Sequence, residues 1–177
     1  MNLLMVLKSL GALLICEFLA LTPSLFVAIY YKGADVKAFL MTMFIALALG
    51  LLAFSVKPKS KHIFTRDGFA IVALGWLLIS VIGALPFYLS GAIPSFVDSL
   101  FEATSGFTTT GATILTEVES LPRGILFWRS FTHWIGGMGV LVLTLAILPS
   151  LGTGAIQIMK AESPGPTPGK IVPRLKT

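Results

Sequence analysis

Long apolar runs alternate with short polar segments along this chain, and the pattern predicts helices that cross a membrane. The four runs are residues 9–31, 38–56, 69–89 and 124–151. The first contains one charged residue, Glu17, the second and third contain none, and the fourth contains only Arg129 and His133. Because about 20 apolar residues are enough to cross the hydrocarbon of a bilayer, each run is long enough to span it.

The composition excludes a water-soluble domain. Of the 177 residues, 55% are hydrophobic and 12% are charged, whereas soluble domains carry about 25% charged residues. We therefore predict an all-α membrane protein. The net charge of +5 would suggest nucleic-acid binding in a soluble chain, but here its distribution matters more, and we expect no nucleic-acid partner. The single cysteine, Cys16, forms no disulfide framework and is interpreted as a small side chain buried in a helix.

Basic residues lie in alternate connecting segments, which predicts the orientation of the chain. They precede the first run, fill the segment between the second and third, and recur in the tail: Lys8, Lys57, Lys59, Lys61, Arg66, Lys160, Lys170, Arg174 and Lys176. Between the first and second runs, Lys32 and Lys37 flank the acid Asp35. Residues 91–122 contain no lysine or arginine and four acids. Since basic segments stay on the cytoplasmic side, both termini are expected in the cytoplasm and the acidic segment outside. The basic segments are also expected to contact anionic membrane lipid.

Residues 95–105 are predicted to form a short helix between two full spans. Pro94 or Ser95 begins it, Asp98 lies in its first turn, and Gly106 ends it. This helix is too short to span the membrane and too apolar to be a solvated loop. It fits a re-entrant element, which is tolerated at membrane depth only inside protein or against a water-filled cavity.

The segment that follows, residues 107–113, is rich in threonine and glycine, and we call it the Thr/Gly segment. Threonine disfavours helix and Gly111 permits a positive φ, so successive carbonyls can face a common axis. A potassium filter is built in this way, from backbone carbonyls that replace the water shell of the ion. The alternative is a Thr/Gly-rich turn that caps an ordinary helical hairpin. The residues alone leave both interpretations open.

Three stretches of this sequence resemble the Trk/Ktr/HKT potassium-transporter superfamily, and within it the TrkH-like membrane subunits. They are FEATSGFTTTGA at residues 101–112, FWRSFTHWIGGMG at 127–139, and AESPGP at 161–166, which leads to PRLKT at 173–177. The resemblance covers essentially the whole chain. It implies an N-terminal transmembrane helix pair with a basic cytoplasmic loop (residues 1–67), a first pore repeat (68–152) and a cytoplasmic linker (153–177).

Within that repeat the resemblance implies a span at 69–89, a pore helix at 95–105, a filter at 108–112 and a second span at 124–151. The implied ion-binding residues are Thr108, Thr109, Thr110, Gly111 and Ala112. K+ would be held at backbone carbonyls only, with those of Thr109, Thr110 and Gly111 as the best candidates. One glycine stands where the potassium-channel signature has two, so imperfect selectivity is expected, and Na+ or Rb+ can also pass.

Two charged residues are expected to support the filter. Glu102 is either a surface acid near the outer mouth or a buried carboxylate that binds filter amides and attracts cations; an acid at membrane depth favours the second. Arg129 either extends its charge toward water or anchors an acid behind the filter, with Glu102 the obvious candidate. His133 lies on the same helical face as Arg129 and is interpreted as a packed residue rather than a proton sensor.

Small residues and one further acid complete the candidates. Gly136, Gly137 and Gly139 share one helical turn and allow close helix packing or a bend. Glu17 is a lone acid in the first span, expected to pair within the protein, with no specific partner identified. Catalytic and nucleotide-binding motifs are incomplete throughout, so no enzymatic activity is expected.

The resemblance also implies partners and a location. Members of the superfamily carry four pore repeats, and this chain holds one, so we expect either a fragment, which we favour, or an assembly of several copies. The implied function is K+ uptake down the electrochemical gradient in the bacterial cytoplasmic (inner) membrane. A homodimer and a cytosolic TrkA-like regulatory subunit are implied, with NAD or ATP bound only to that subunit and no cofactor in this chain. The alternative is a non-conducting module that associates with full-length subunits.

Overall fold

The computed structural model describes residues 2–58 and 65–147, which contain five α-helices and no β-strand. The helices are α1 (Leu3–Tyr30), α2 (Val36–Phe54), α3 (Thr65–Leu89), α4 (Phe96–Phe107) and α5 (Arg123–Ile147). The predicted all-α class is confirmed. The end of the fourth predicted span (148–151) and the predicted linker (153–177) lie outside the described residues. The chain divides into two compact units, residues 1–138 and 139–177; the second is described only as the end of α5, and all contacts below belong to the first.

Three helices of the described chain are long and apolar enough to cross a membrane: Leu3–Tyr30, Val36–Phe54 and Arg66–Leu89. The first starts six residues earlier than the predicted run at 9–31. Asn2 explains the difference, because its side chain accepts a hydrogen bond from the Met5 amide at 3.3 Å and caps the helix. Lys8, within this extension, places its ammonium 5.0 Å from the centroid of the Phe54 ring.

A tight turn joins α1 to α2. The amide of Lys32 donates to the Ile29 carbonyl at 3.0 Å, and the amide of Gly33 donates to the Ala28 carbonyl at 2.9 Å. This pair of bonds is a Schellman motif. Lys32 takes the left-handed position, with a φ of +51°, and the turn brings α2 back along α1.

Glycines allow α1 and α2 to pack closely. A Cβ built on Gly11 would lie 2.6 Å from the Phe54 amide nitrogen and 2.8 Å from the Gly50 carbonyl oxygen. A Cβ on Gly50 would lie 3.2 Å from the Gly11 carbonyl oxygen. Since no side chain separates the two backbones at this point, the helices approach as closely as small-residue pairs in membranes do.

Trp128 of α5 is fully buried and forms the centre of the core. Its indole N–H donates to the Gly83 carbonyl of α3 at 2.9 Å, and its ring packs edge-to-face on Phe107 at 6.1 Å. Pro86 lies three residues after Gly83 inside α3, where a proline disturbs the helical hydrogen bonds of the preceding turn. The indole therefore supplies a partner to a carbonyl in that turn and ties α5 to α3.

Asp35 connects the first helix pair to α5. It is 1% exposed, and its Oδ2 accepts a hydrogen bond from the Ile125 amide at 3.1 Å. Ile125 is the third residue of α5, so this bond satisfies one of the amides that a helix N-terminus leaves unpaired. A Cβ on Gly124 would overlap Asp35 and lie 2.7 Å from the Ala28 Cβ, so glycine is needed for this contact.

The predicted burial of Cys16 in α1 is wrong, and the predicted pairing of Glu17 is not found among the described residues. Cys16 is exposed rather than buried, because it lies on the outward face of α1. Glu17 is buried, at 5% exposure, but neither of its carboxyl oxygens has a hydrogen-bond partner among the described residues. The carboxyl lies beside Gly83, where a Cβ would be 3.4 Å from Glu17 Oε1.

We expect Asp35→Ala to lower the free energy of unfolding by about 1–2 kcal/mol, the usual cost of losing a helix cap. Asp35→Asn keeps an oxygen acceptor for the Ile125 amide and should lose less. Glu117→Ala, which removes an exposed acid, is the control. Thermal unfolding in detergent measures all three, and equal melting temperatures for the two alanine variants would contradict the capping role.

Candidate functional site

Helix α4 is short, capped at its N-terminus, and buried along one face. The Ser95 side chain accepts a hydrogen bond from the Asp98 amide at 3.4 Å, and the helix begins at Phe96. Its 12 residues are too few to cross a bilayer. The buried face carries Ser99, Glu102, Ala103, Ser105, Gly106 and Phe107. The structure thus contains the short helix that the sequence predicts at residues 95–105.

The prediction that Gly106 ends this helix is wrong, because α4 continues through Gly106 to Phe107. Gly106 is buried where α4 passes α5, and a Cβ built on it would overlap Oγ1 of Thr132. Glycine is therefore required here by the close approach of α5. The chain turns only at Thr109, whose φ is +56°.

The turn after α4 is a second Schellman motif, this time with threonine in the left-handed position. The Thr109 amide donates to the Gly106 carbonyl at 2.9 Å, and the Thr110 amide donates to the Ser105 carbonyl at 3.0 Å. A positive φ is rare for a β-branched residue. Since residues held in rare backbone conformations cluster at functional sites, Thr109 marks this turn as the candidate site.

Unpaired backbone carbonyls follow this turn. Residues 108–114 are all exposed, and Gly111 has a φ of +76°. The carbonyl oxygens of Thr109, Thr110 and Gly111 accept no hydrogen bond from residues 2–58 or 65–147. The same residues contain no cluster of three His, Cys, Asp or Glu side chains that could hold a metal. These free carbonyls are therefore the groups best suited to hold a cation, and their role as ligands stays a prediction.

The remaining two residues of the predicted filter make hydrogen bonds within the site. Thr108 donates through Oγ1 to the Thr104 carbonyl at 2.8 Å, and the same oxygen lies 2.8 Å from the Thr110 hydroxyl. The Ala112 carbonyl accepts a hydrogen bond from the Ser105 hydroxyl at 2.6 Å. The Ala112 oxygen thus faces α4, unlike the three carbonyls before it.

Glu102 is the buried carboxylate at this site, with a residue exposure of 2%. The Thr113 hydroxyl lies 3.0 and 2.9 Å from the two carboxylate oxygens and shares its single proton between them, and the Ile114 amide donates to Oε2 at 3.4 Å. Glu102 therefore holds the chain just after the predicted filter. The amide it binds is that of Ile114, whereas the sequence predicts bonds to the filter amides.

Arg129 forms an ion pair with Glu102. Its Nε donates to Glu102 Oε1 at 2.6 Å, and its side chain is 18% exposed. Of the two alternatives for Arg129, the structure shows pairing with the buried acid Glu102 rather than extension toward water. His133, on the next turn, is half-buried, with its Nδ1 2.9 Å from the Arg129 carbonyl oxygen. The ion pair joins α4 to α5 directly behind the Thr/Gly segment.

The glycines of α5 differ from one another in their surroundings. Gly136 is buried against the backbone of Phe107, where a Cβ would overlap the Phe107 carbonyl oxygen. Gly137 has a single distant neighbour, with its Cβ position 3.9 Å from Thr109 Cγ2. Gly139 begins the second compact unit. The sequence predicts either close helix packing or a bend at these glycines. Gly136 allows close packing, because it lets α5 lie against the end of α4.

The chain matches a known transporter family over most of its length. The family model TrkH, described as a cation transport protein, covers residues 35–177. This chain is a member of the TrkH family. The predicted resemblance is thereby confirmed, and the chain is a membrane protein of a transporter family.

Curated relatives carry the same family name. The Trk system potassium uptake protein TrkH of Halomonas elongata is 39% identical over 99% of this chain and 37% of its own length. TrkH of Escherichia coli K12 is 46% identical over 86% of this chain and 32% of its own length. TrkG of the same strain is 42% identical over 89% of this chain and 33% of its own length. This chain therefore spans about a third of the length of these relatives.

A solved structure has the same fold. The crystal structure of the potassium transporter TrkH from Vibrio parahaemolyticus matches with a TM-score of 0.80 at 35% identity. The match covers 92% of this chain and 36% of that one. It confirms the fold class for nearly all of the sequence.

Sequence reasoning missed three residues that hold the site together. Ser105 donates to the Ala112 carbonyl, Thr113 donates to the Glu102 carboxylate, and Trp128 packs edge-to-face on Phe107, the first residue of the Thr/Gly segment. The first two are ordinary hydroxyl residues whose partners are 7 and 11 positions away, so no spacing rule indicates them. Trp128 offered a weak signal, since a buried indole N–H requires an acceptor.

We expect Arg129→Met to lower stability by about 3–5 kcal/mol, because it leaves the buried Glu102 carboxylate without its cation. The double variant Glu102→Gln with Arg129→Met should recover part of this loss, since neither charge remains. Arg123→Met, which removes an exposed arginine of the same helix, is the control. Thermal unfolding in detergent measures the melting temperature of each variant. Equal melting temperatures for Arg129→Met and Arg123→Met would contradict the structural ion pair.

Proposed function

We propose that this chain forms one side of a pore that passes K+ into the cell down its electrochemical gradient. The observation that carries the proposal is the row of exposed, unpaired carbonyls at Thr109, Thr110 and Gly111. Carbonyl oxygens can replace the water shell of a potassium ion. The relatives named above are potassium uptake proteins, which supports K+ as the ion. An inside-negative potential supplies about 2.3 kcal/mol per charge for each 100 mV.

The rigid support of the Thr/Gly segment favours a filter over a simple turn. Glu102 holds its far end through Thr113, and the Schellman motif holds its near end at Thr109. A connecting turn needs neither a buried ion pair nor a left-handed threonine. In this proposal Thr108–Ala112 form the filter, and the carbonyls of Thr109, Thr110 and Gly111 are the ligands. Glu102 and Arg129 support the filter, and Gly136 lets α5 pack behind it.

The proposed pore needs further polypeptide. One Thr/Gly segment offers carbonyls from one side, whereas a filter surrounds the ion. The other sides come from three further pore repeats or three further copies of this chain. Residues 1–67 are then the N-terminal helix pair, 68–152 the first pore repeat and 153–177 a cytoplasmic linker.

The proposed assembly lies in the bacterial inner membrane with both termini in the cytoplasm. The distribution of lysine and arginine supports this orientation. A homodimer of complete subunits and a cytosolic TrkA-like partner that binds NAD or ATP complete it. In this orientation Lys57 and Arg66 are on the side of the membrane where that partner and the anionic lipid headgroups can be contacted.

Cation uptake tests the proposal. The complete reading frame that encodes this chain is expressed in bacteria that lack potassium uptake systems, and K+ and Rb+ uptake are measured against an empty vector. Uptake above the vector level, abolished when the membrane potential is collapsed, is the expected result. Normal membrane accumulation without uptake contradicts the proposal and favours the non-conducting interaction module.

We expect Gly111→Ser to change the ratio of K+ to Na+ uptake more than it changes the amount of protein in the membrane. Gly111 has a φ of +76°, which a side chain disfavours, so its carbonyl and those beside it should shift. Gly68→Ser is the matched control, because a Cβ at Gly68 meets nothing within 4 Å and the residue is helical. Identical uptake ratios in the Gly111 variant and the parent would contradict a filter role for this residue.

We also expect the 177-residue chain not to conduct as a monomer. Its exposed carbonyls would face lipid, where each unpaired polar group costs several kcal/mol. Flux in vesicles should therefore rise more steeply than protein concentration, in step with crosslinked oligomers. Flux that is proportional to a species shown to be monomeric would rule this out.

A further inference from the structure

Ser105 contacts the Thr/Gly segment on both sides of Gly111. Its backbone carbonyl accepts the Thr110 amide at 3.0 Å, and its hydroxyl donates to the Ala112 carbonyl at 2.6 Å. Ser105 is 5% exposed, and the Ala112 residue that accepts its hydroxyl is exposed. One residue of helix α4 therefore fixes both neighbours of Gly111.

Little else among the described residues holds this part of the segment. A Cβ built on Gly111 would have no atom within 4 Å, so Gly111 is not held by packing. Glu102 binds Thr113 and the residue after it, which lie beyond Ala112. At Gly111 and Ala112, the bond from Ser105 is the one hydrogen bond made within residues 2–58 and 65–147.

This bond separates the carbonyls into two groups. Those of Thr109, Thr110 and Gly111 are unpaired and exposed, while that of Ala112 is turned toward α4. We propose that Ser105 is a positioning residue that sets the cation preference of the filter, because its hydroxyl holds the Ala112 carbonyl away from the ion and thereby fixes the carbonyl of Gly111. This inference rests on the function proposed above.

The test compares three substitutions at Ser105 with one matched control. Ser105→Ala removes the hydroxyl with little change in volume, and Ser105→Thr retains it. Ser99→Ala is the control, because Ser99 is also buried in α4 and donates to a backbone carbonyl, that of Ile93 at 3.2 Å, at the opposite end of the helix. Ser105→Cys, which has only a weak donor, serves if the alanine variant does not accumulate in the membrane.

The complete reading frame carries each variant, and the ratio of K+ to Na+ uptake is measured at equal amounts of membrane protein. We expect this ratio to fall about two- to tenfold in Ser105→Ala, the factor that one hydrogen bond is worth, and to stay at the parental value in Ser99→Ala and Ser105→Thr. A structural role alone would lower the amount of protein and leave the ratio unchanged.

The outcomes distinguish the two proposals. The positioning role is overturned if Ser105→Ala takes up K+ at the parental rate with an unchanged ratio of K+ to Na+ uptake. If only Ser105→Cys accumulates in the membrane, the same result in that variant overturns it. Either result leaves the pore function intact. A fall in the ratio for Ser99→Ala equal to that for Ser105→Ala also overturns it. A parent that takes up no cation overturns the proposed function, and the inference about Ser105 with it.

Discussion

The buried carboxylate of Glu102 is the constraint on which the rest of the candidate site depends. An unpaired charge at this depth would cost several kcal/mol, so the carboxylate must be surrounded by donors. The guanidinium of Arg129, the hydroxyl of Thr113 and the amide of Ile114 supply them. These groups come from α5, from the last residue of the Thr/Gly segment and from the residue after it. Satisfying one acid therefore fixes α4, α5 and the end of that segment relative to one another.

The ion pair can form only if α5 approaches α4 closely, and two glycines allow this. Gly106 leaves space for the side chain of Thr132, and Gly136 leaves space for the carbonyl of Phe107. On the other side of α4, the ring of Phe107 fills the space left by Gly83, where a Cβ would lie 2.5 Å from its Cε2. The end of α4 is thus held between α3 and α5, and the strained Thr109 is the second residue after it.

Hydropathy predicts the helices well, because bilayer thickness sets their length and a run such as residues 38–56 has no other stable form in lipid. The short helix is also predictable, from its cap at Ser95 and its length. The tertiary contacts are not. A glycine that ends a helix and a glycine that allows a neighbouring helix to pack closely look alike in sequence. The sequence pattern therefore predicts the wrong role for Gly106. The bond from Ile125 to Asp35 joins residues 90 positions apart, and no local pattern indicates it.

The threonines of the Thr/Gly segment have a physical role beyond their carbonyls. Polar side chains in such a turn compete for nearby backbone groups, and a hydroxyl bonded to the carbonyl of Thr109, Thr110 or Gly111 would occupy that oxygen. Here the Thr108 hydroxyl instead bonds the Thr104 carbonyl at the end of α4 and lies against the Thr110 hydroxyl. Both hydroxyls therefore have hydrogen-bond partners and do not bond to the carbonyls of Thr109 and Gly111. Hydroxyl residues can therefore line the segment while the backbone oxygens of Thr109, Thr110 and Gly111 stay unpaired within residues 2–58 and 65–147.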